Sequence, residues 1–176
     1  MPNDFSKWIN NKVEGNYYTP DMPEIYALDK HFLFVYGQMK FKEYRHDLVE
    51  NEEYLGKAYT KYATYGIINH TNPSDHTTPY AFRDSLSALP SFIKGELYRV
   101  DTDTLLEIDY VFSNNVKTQR IKMPVVLARS HENCIAWCYL VHPSIEFELM
   151  NKSTYSKYLR RSFLWNTPVI DWQESA

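Results

Sequence analysis

The residues most able to do chemistry follow a short apolar run near the start of the chain. Phe32 to Val35 is uninterrupted and leads into Tyr36-Gly37, after which the residues turn polar. Such a run predicts a strand buried on both faces, and the glycine predicts a tight turn. Because glycine has no Cβ, it permits backbone angles that other residues resist and lets a ligand approach the peptide N–H groups that follow. A strand end with a glycine turn is the simpler interpretation of these residues alone.

Histidine and cysteine offer two further chemistries, and neither is complete here. His70 and His76 lie in a polar stretch and would suit a metal ion only if another ligand joined them. Cys134 and Cys138 lie in a stretch typical of a strand. Four residues along a strand span about 13 Å, beyond the reach of a disulfide. We therefore expect two buried thiols and no metal site.

The composition fits one ordinary globular domain. The chain has 176 residues, of which 44% are hydrophobic and 16% aromatic, and its net charge is −3. This charge gives no global attraction to nucleic acid or anionic lipid, so neither is expected as a partner. No apolar run approaches the ~20 residues of a membrane span, and the first residues do not resemble a signal sequence. The sequence therefore predicts a cytoplasmic protein.

Periodicity places the first half of the chain on predicted elements. Apolar residues at helical spacing predict a helix over 4–13, and a connector with two prolines follows it. After the strand over 32–36, residues 43–53 can form a charged helix. Alternation rich in Tyr and Thr predicts one or two strands over 54–68, and 69–79 is expected to be a polar loop.

The second half combines strands with two predicted helices. The strands are predicted over 92–100, 118–127 and 134–141. A helix is predicted over 105–112, with capping residues just before it, and an aromatic stripe predicts another over 155–163. Pro168 is expected to keep 165–172 irregular. This order indicates an α+β fold with a largely antiparallel or barrel-like sheet.

Five short motifs in order carry a resemblance to a known family. They are Val35 to Lys40, Leu55 to Thr60, Gly95 to Val100, Arg120 to Val125 and Ala136 to Tyr139. In this order they resemble the γ-glutamylcyclotransferase-like (AIG2-like or BtrG-like) family. The resemblance covers 32–143 and implies a small mixed or antiparallel β-barrel flanked by helices. The chain would then be a single domain, 1–176, with 1–31 and 144–176 as extensions.

The resemblance implies a defined reaction and a defined loop. Members of this family convert γ-glutamyl amines or dipeptides to 5-oxoproline and a free amine. The α-amine must lose a proton to attack the γ-carbonyl, the oxyanion needs N–H donors, and the leaving amine needs a proton. No metal or other cofactor is required. The resemblance assigns ligand contacts to Tyr36, Gly37, Gln38, Met39 and Lys40. The alternative for Lys40 is a surface charge just past the turn.

The sequence departs from the family at the residue that carries the proton. The family pattern Leu-Asp-x-x-Glu-Gly corresponds here to Ile108 to Ser113, so that Phe112 takes the place of the Glu and Ser113 that of the Gly. The family's loop Thr is Gln38. A phenyl ring cannot accept or donate a proton, and losing general acid–base help typically costs ~10²–10⁴ in rate.

Three functions follow from this departure. The first, which Phe112 favours, is a degenerate member that binds a small γ-glutamyl-like ligand or a protein partner without turnover. The second is an active cyclotransferase with a relocated carboxylate. The third is an interaction protein that binds its partner through 152–172, in which case deleting 152–176 would leave a folded barrel.

Four acids are candidates for a relocated carboxylate, and each has an ordinary role as well. Asp109 fits the family's structural Asp, and Glu107 fits a solvated helix face. Glu96 fits a strand surface, and Asp84 fits a loop cap. The compact size and degenerate motif would also suit a phage protein, which would act in the host cytoplasm.

Overall fold

The computed structural model describes residues 28–71, 77–83, 90–113, 118–141, 158–164 and 166–174. The helix expected over 4–13 and the candidate acid Asp84 lie outside these residues. Within them are nine strands, one α-helix and one 3-10 turn. The strands are β1 (Lys30–Val35), β2 (Glu53–Thr60), β3 (Tyr65–Thr71), β4 (Thr77–Arg83), β5 (Phe92–Asp101), β6 (Thr118–Leu127), β7 (Asn133–Val141), β8 (Leu159–Leu164) and β9 (Thr167–Trp172). The α-helix, α1, spans Thr102–Ser113, and the 3-10 turn spans His46–Leu48.

Five of these strands close into a barrel. β1 is antiparallel to β5, β5 to β2, β2 to β6 and β6 to β7. The ring closes where Leu33 of β1 pairs in parallel with Trp137 of β7. Closure gives each barrel strand a partner on both sides. The expected α+β fold with a small mixed barrel is confirmed.

A glycine allows one of these strands to bend around the barrel. Between Tyr54 and Gly56 the register of β2 against β5 shifts by one residue, which is a β-bulge. Gly56 has a φ of 138°, a conformation that residues with a Cβ rarely adopt. The glycine of the second motif is therefore required by the backbone of β2.

Two hairpins are attached to the barrel. β3 pairs with β4, and β4 joins β7 in parallel where Ala81 lies beside Leu140. β8 pairs with β9, and β9 joins the start of β5 in parallel where Val169 lies beside Phe92. The first hairpin brings β4 next to the loop that follows β1.

Side-chain alternation divides the core into an inner and an outer layer. Ala136, Cys138 and Leu140 of β7 lie in one apolar cluster, whereas Trp137 and Tyr139 lie in a second cluster with residues of α1. The helix therefore packs over the outer face of the barrel. Both cysteines are free and buried in β7, which confirms that expectation.

The start of α1 is capped as the sequence predicts. The Asp101 carboxylate accepts a hydrogen bond from the Thr104 N–H at 2.8 Å, which satisfies one of the donors left over at a helix start. The same hydrogen bond lowers the pKa of Asp101. The helix then carries Asp109 and Phe112 in its last turns.

The helix predicted over 43–53 is wrong. Only the short 3-10 turn forms there. The Arg45 N–H donates to the Gln38 carbonyl at 2.8 Å, and the His46 ring lies 3.0 Å from the Met39 carbonyl. These contacts fold the segment back onto the loop after Gly37, which is incompatible with a regular helix.

The predictions for the C-terminal residues are also wrong where the structure describes them. The helix predicted over 155–163 is replaced by β8 from Leu159 onward, and the irregular stretch over 165–172 contains β9. Asn166 lies between the two strands with a φ of 62°, and Asn adopts this conformation more readily than most residues. The chain therefore reverses as a hairpin.

The polar loop predicted over 69–79 is shorter than expected. β3 continues to Thr71, and β4 already begins at Thr77. No helix in the described ranges is long and apolar enough to cross a membrane.

Candidate functional site

The loop that follows β1 is fixed by a turn and by contacts with β4. The Lys40 N–H donates to the Gly37 carbonyl at 3.1 Å. The Gln38 side chain donates to the Thr77 carbonyl at 3.0 Å and lies 3.3 Å from the Thr78 hydroxyl. Gln38 is buried, so its amide holds the loop against the hairpin.

The Tyr36 hydroxyl connects three strands. It donates to the Tyr139 carbonyl of β7 at 2.7 Å and accepts from the Ala81 N–H of β4 at 2.9 Å. Burial raises the pKa of this hydroxyl well above its ordinary value. Tyr36 therefore acts here as a neutral structural group between β1, β4 and β7.

Gly37 is needed because Pro79 of β4 lies directly against it. A Cβ placed on Gly37 would come within 2.5 Å of the Pro79 ring, a distance that no side chain tolerates without a shift of its neighbour. Among the described glycines, the positive φ belongs to Gly56 and not to Gly37. Gly37 therefore does not use the positive φ that glycine permits, and the space next to it is filled by proline.

A cavity lies beside this loop, and its lining is mostly apolar. Its free volume is about 30 Å³, room for about two water molecules. The lining comes from the end of β1 and its loop, from β4, from α1 and from the facing ends of β6 and β7. Its residues are Phe34, Val35, Tyr36, Gly37, Gln38, Met39, Thr78, Pro79, Tyr80, Phe112, Thr118 and Tyr139.

Phe112 is one of these lining residues. Its ring centroid lies 5.8 Å from that of Tyr139, in a tilted arrangement, and it packs against the outer apolar cluster. The Phe112 carbonyl accepts a hydrogen bond from the Thr118 hydroxyl at 2.5 Å, which ties the end of α1 to the start of β6. The ring thus faces the loop that begins at Tyr36.

Asp109 lies one helical turn before Phe112 and is linked to the cavity through Tyr139. The Tyr139 hydroxyl donates to the Asp109 carboxylate at 2.5 Å, and Arg120 binds the other carboxylate oxygen at 3.0 Å. Burial raises the pKa of Asp109, whereas Arg120 and the tyrosine hydrogen bond act in the lowering direction. The guanidinium also stacks 4.5 Å above the Trp137 ring.

The other candidate acids lie elsewhere. Glu107 is exposed on α1. Glu96 is buried on β5, where it accepts hydrogen bonds from the Phe41 N–H at 2.8 Å and the Tyr98 hydroxyl at 3.2 Å. Neither lines the cavity beside Phe112.

The last two loop residues are fixed in different ways. Met39 is buried in the outer apolar cluster. Lys40 is buried and forms an ion pair with Asp171 of β9 at 2.7 Å. Lys40 is therefore not a surface charge, and it does not line the cavity beside Phe112. It joins the loop to the hairpin of β8 and β9.

Metal-binding residues do not gather in the part of the chain that the structure describes. No group of three or more His, Cys, Asp or Glu side chains there could hold a metal ion. His70 lies in β3, and His76 lies outside the described residues.

Sequence reasoning did not assign seven of the lining residues to the site, of which Phe34 and Val35 belong to the predicted strand over 32–36. Thr78, Pro79 and Tyr80 come from β4, whose first three residues were predicted as part of the polar loop over 69–79. Thr118 and Tyr139 come from strands that were predicted correctly. The apolar residues from Tyr80 to Phe82 were an available signal for a strand, whereas Pro79 argues against one.

A closed barrel with a cavity beside a Tyr-Gly loop defines a class of fold, and comparison identifies the family. The family model described as gamma-glutamyl cyclotransferase, AIG2-like, matches residues 33–160. The chain therefore belongs to this family. No curated protein matches the sequence.

Solved structures show the same fold at low sequence identity. An AIG2-like protein from Mus musculus aligns with a TM-score of 0.54 and 19% identity, covering 74% of this chain and 91% of its own. A protein from Arabidopsis thaliana aligns with a TM-score of 0.53 and 14% identity, covering 70% and 76%. A structure named gamma-glutamyl cyclotransferase aligns with a TM-score of 0.52 and 12% identity, covering 64% and 67%.

Proposed function

We propose that this protein is a non-catalytic member of the family, which binds a small ligand or a protein partner and does not form 5-oxoproline. The supporting observation is the position of Phe112. Its ring lines the cavity beside the Tyr36 loop, and none of the described lining residues carries a carboxylate.

The chemistry of the reaction explains why this position matters. Cyclisation removes a proton from the α-amine and delivers one to the leaving amine. The hydroxyls and the amide that line the cavity are weak bases at neutral pH. The Tyr36 hydroxyl is held between a carbonyl and an amide. A substrate placed in this cavity would meet no proton carrier.

The size of the cavity also argues against turnover of a γ-glutamyl substrate. A free volume of about 30 Å³ is far below the roughly 300 Å³ or more of typical ligand pockets. Phe112 and Pro79 occupy two sides of it. A ligand with a γ-glutamyl group would therefore need more room than this free volume offers.

The direct test is to measure 5-oxoproline after incubating the purified protein with γ-glutamyl amines and γ-glutamyl dipeptides. We expect no product above the level of a Tyr36→Phe variant. Product formed by the wild type and lost in one of the acid variants described next would overturn the proposal.

A second function is favoured by the hydrogen bond between Tyr139 and Asp109. In this case the protein is an active cyclotransferase, with Asp109 as the proton carrier and Tyr139 as the relay to the cavity. The 2.5 Å contact and the raised pKa of Asp109 support it, because a carboxyl with a raised pKa exchanges protons closer to neutral pH. The ion pair with Arg120 opposes it.

Asp109→Asn and Tyr139→Phe separate the two functions. If Asp109 carries the proton, both variants lose activity by at least a hundredfold. Glu107→Gln, on the exposed face of the same helix, is the matched control and keeps full activity. Equal activity in all four proteins would exclude the relay.

A protein partner that binds through 152–172 stays a prediction. The structure replaces the helix on which it was based with β8, whose Arg160, Arg161 and Phe163 side chains are exposed. Replacing Phe163 by Ser leaves the core intact and tests this surface by loss of partner capture.

A further inference from the structure

A second cavity lies outside the barrel and shares no lining residue with the first. It is formed by the end of the loop after β1, the outer faces of β2 and β5, and the end of β9. Its free volume is about 250 Å³, roughly eight times that of the first cavity. Its lining residues are Lys40, Phe41, Lys42, Glu43, Lys57, Lys94, Gly95, Glu96, Asp171 and Gln173.

Two acidic groups in this lining are bound by a residue of the loop and by residues that follow β9. Asp171 accepts hydrogen bonds from Lys40 at 2.7 Å and from the Gln173 amide at 3.0 Å. Glu43 accepts from the Glu174 N–H at 3.3 Å. The ion pair with Lys40 offsets the charge of Asp171.

The third acid, Glu96, is turned toward the loop. It accepts from the Phe41 N–H and the Tyr98 hydroxyl. Lys57 lies directly opposite Glu96 in the β2–β5 register. Opposite charges in such cross-strand positions are close enough to pair. None of the ion pairs formed between described residues joins them.

Three ammonium groups of this cavity therefore form no ion pair with a carboxylate of the residues that the structure describes. They belong to Lys42, Lys57 and Lys94, which line the cavity from the loop, β2 and β5 respectively. Lys57 and Lys42 are exposed, and Lys94 is half-buried. The charges of Lys40 and Asp171 cancel in their ion pair. The remaining lining then carries three positive charges and the two negative charges of Glu43 and Glu96.

The backbone of Lys42 is held in an unfavourable conformation at the rim of this cavity. Its φ is 70°, which is uncommon for residues other than glycine. The Lys42 ammonium lies 5.7 Å from the centroid of the Phe41 ring, which is 62% exposed. Strained residues of this kind cluster at binding sites.

We propose that this second cavity, lined by Lys42, Lys57 and Lys94, binds a small molecule that carries a phosphate group. An ammonium is a compact charge on a flexible stem, and several of them suit the rounded charge of a phosphate. The free volume is slightly below that of typical ligand pockets, which selects a small phosphate ester. The exposed Phe41 ring supplies an apolar surface for the rest of such a ligand.

The test is calorimetric titration of the whole chain at low ionic strength with pyrophosphate, ribose 5-phosphate and ribose. We expect saturable binding of both phosphates and none of ribose. Lys57→Gln/Lys94→Gln should weaken binding at least tenfold. Lys30→Gln/Lys61→Gln removes the same charge at exposed positions outside the cavity and should change binding less than twofold.

Three results would overturn the proposal. They are the absence of saturable phosphate binding, an equal loss in the control pair, and binding of free glutamate or glutamine without binding of phosphate. Phe112→Trp alters the other cavity and should leave phosphate binding unchanged. Binding that responds to Phe112→Trp and not to the lysine pair would place the phosphate in the first cavity.

Discussion

At the scale of single residues, two rings determine what the cavity beside Tyr36 can hold. Phe112 lines it from α1, and Pro79 lines it from β4 against Gly37. The proposed loss of turnover takes the first ring to stand at the position of the family's proton carrier, and the second ring lies directly against Gly37. Predictions for these side chains therefore concern the free volume of the cavity as well as the acids that reach it.

Phe112→Ala should enlarge the cavity and lower stability. Truncating a fully buried Phe costs 3–5 kcal/mol as a rule, and Phe112 is half-buried, so we expect about 2 kcal/mol by urea denaturation. The variant should gain thermal stabilisation from glutamine and γ-glutamyl compounds. Phe163→Ala, at a ring that is 73% exposed, is the control and should show neither effect. A variant as stable as the wild type would mean that the ring is not packed as described.

Phe112→Glu together with Ser113→Gly should give weak cyclotransferase activity. The new carboxyl would lie beside Tyr139 and one helical turn from Asp109, and both burial and the neighbouring acid would raise its pKa toward neutral. Phe112→Gln with Ser113→Gly has the same shape without the acid and should be inactive. A folded but inactive Glu variant would show that Pro79 or Gln38 also blocks the substrate.

His31 should make the fold sensitive to acid. It is buried, and its Nε2 lies 2.9 Å from the Thr102 hydroxyl. Burial and the neighbouring Arg120 lower its pKa from 6.5 to about 4. Because the unfolded chain binds the proton more tightly, the stabilisation is complete above pH 6.5 and is lost as the pH falls toward 4.

The size of this effect can be measured against a variant. A shift of this size corresponds to about 3 kcal/mol over the full range. Between pH 7.5 and 4.5 the free energy of unfolding should therefore fall about 2–3 kcal/mol more in the wild type than in His31→Gln. Equal slopes in the two proteins would contradict the buried, neutral histidine.

At the scale of elements, the barrel strands were predictable and the strands of the attached hairpins were mostly not. β1 and β7 carry long apolar runs, and β5 and β6 interleave polar with apolar residues; both patterns indicate strands before any partner is known. β4 and β9 contain Pro79 and Pro168, which argue against strands. Each proline lies just before its strand joins a second neighbour, at Ala81 and Val169 respectively, and this position is set only by the tertiary fold.

The candidate site shows the same division. The Tyr36 loop and the place of Phe112 in the cavity follow from motifs that are continuous in sequence. The contribution of β4 and the burial of Lys40 do not, because both depend on hairpins that pack against the loop from elsewhere in the chain. A charged residue after a turn has no sequence signal that its partner will be Asp171.

The ion pair between Lys40 and Asp171 should stabilise the attachment of β9. Their side chains are 8% and 18% exposed, and removing one partner of a buried pair typically costs 3–5 kcal/mol. With some water access, we expect about 2–3 kcal/mol for Lys40→Met by chemical denaturation. Lys40→Met/Asp171→Asn should cost less than the sum of the single changes, because the uncompensated charge is removed. Additive losses would show that the two side chains do not interact.

At the scale of the whole molecule, the C-terminal hairpin is part of the core. Val169, Ile170 and Trp172 are nearly or completely buried, and the last two lie in the inner apolar cluster with residues of the barrel strands. The family match ends at residue 160, so these residues lie beyond the matched region. They nevertheless complete the barrel's packing.

Removing residues 158–176 should therefore unfold the protein, whereas the third function required a folded barrel after deletion of 152–176. Burying one large apolar side chain is worth about 1.5–3 kcal/mol, and three of them approach the 5–15 kcal/mol stability of a typical domain. Trp172→Ala, a milder change, should cost about 3–5 kcal/mol in urea denaturation. Phe163→Ala on the exposed side of the same hairpin should cost less than 0.5 kcal/mol. A truncated chain with native circular dichroism and a cooperative transition would show that the barrel is stable without the hairpin, and the buried Trp172 would then be an accessory to the fold.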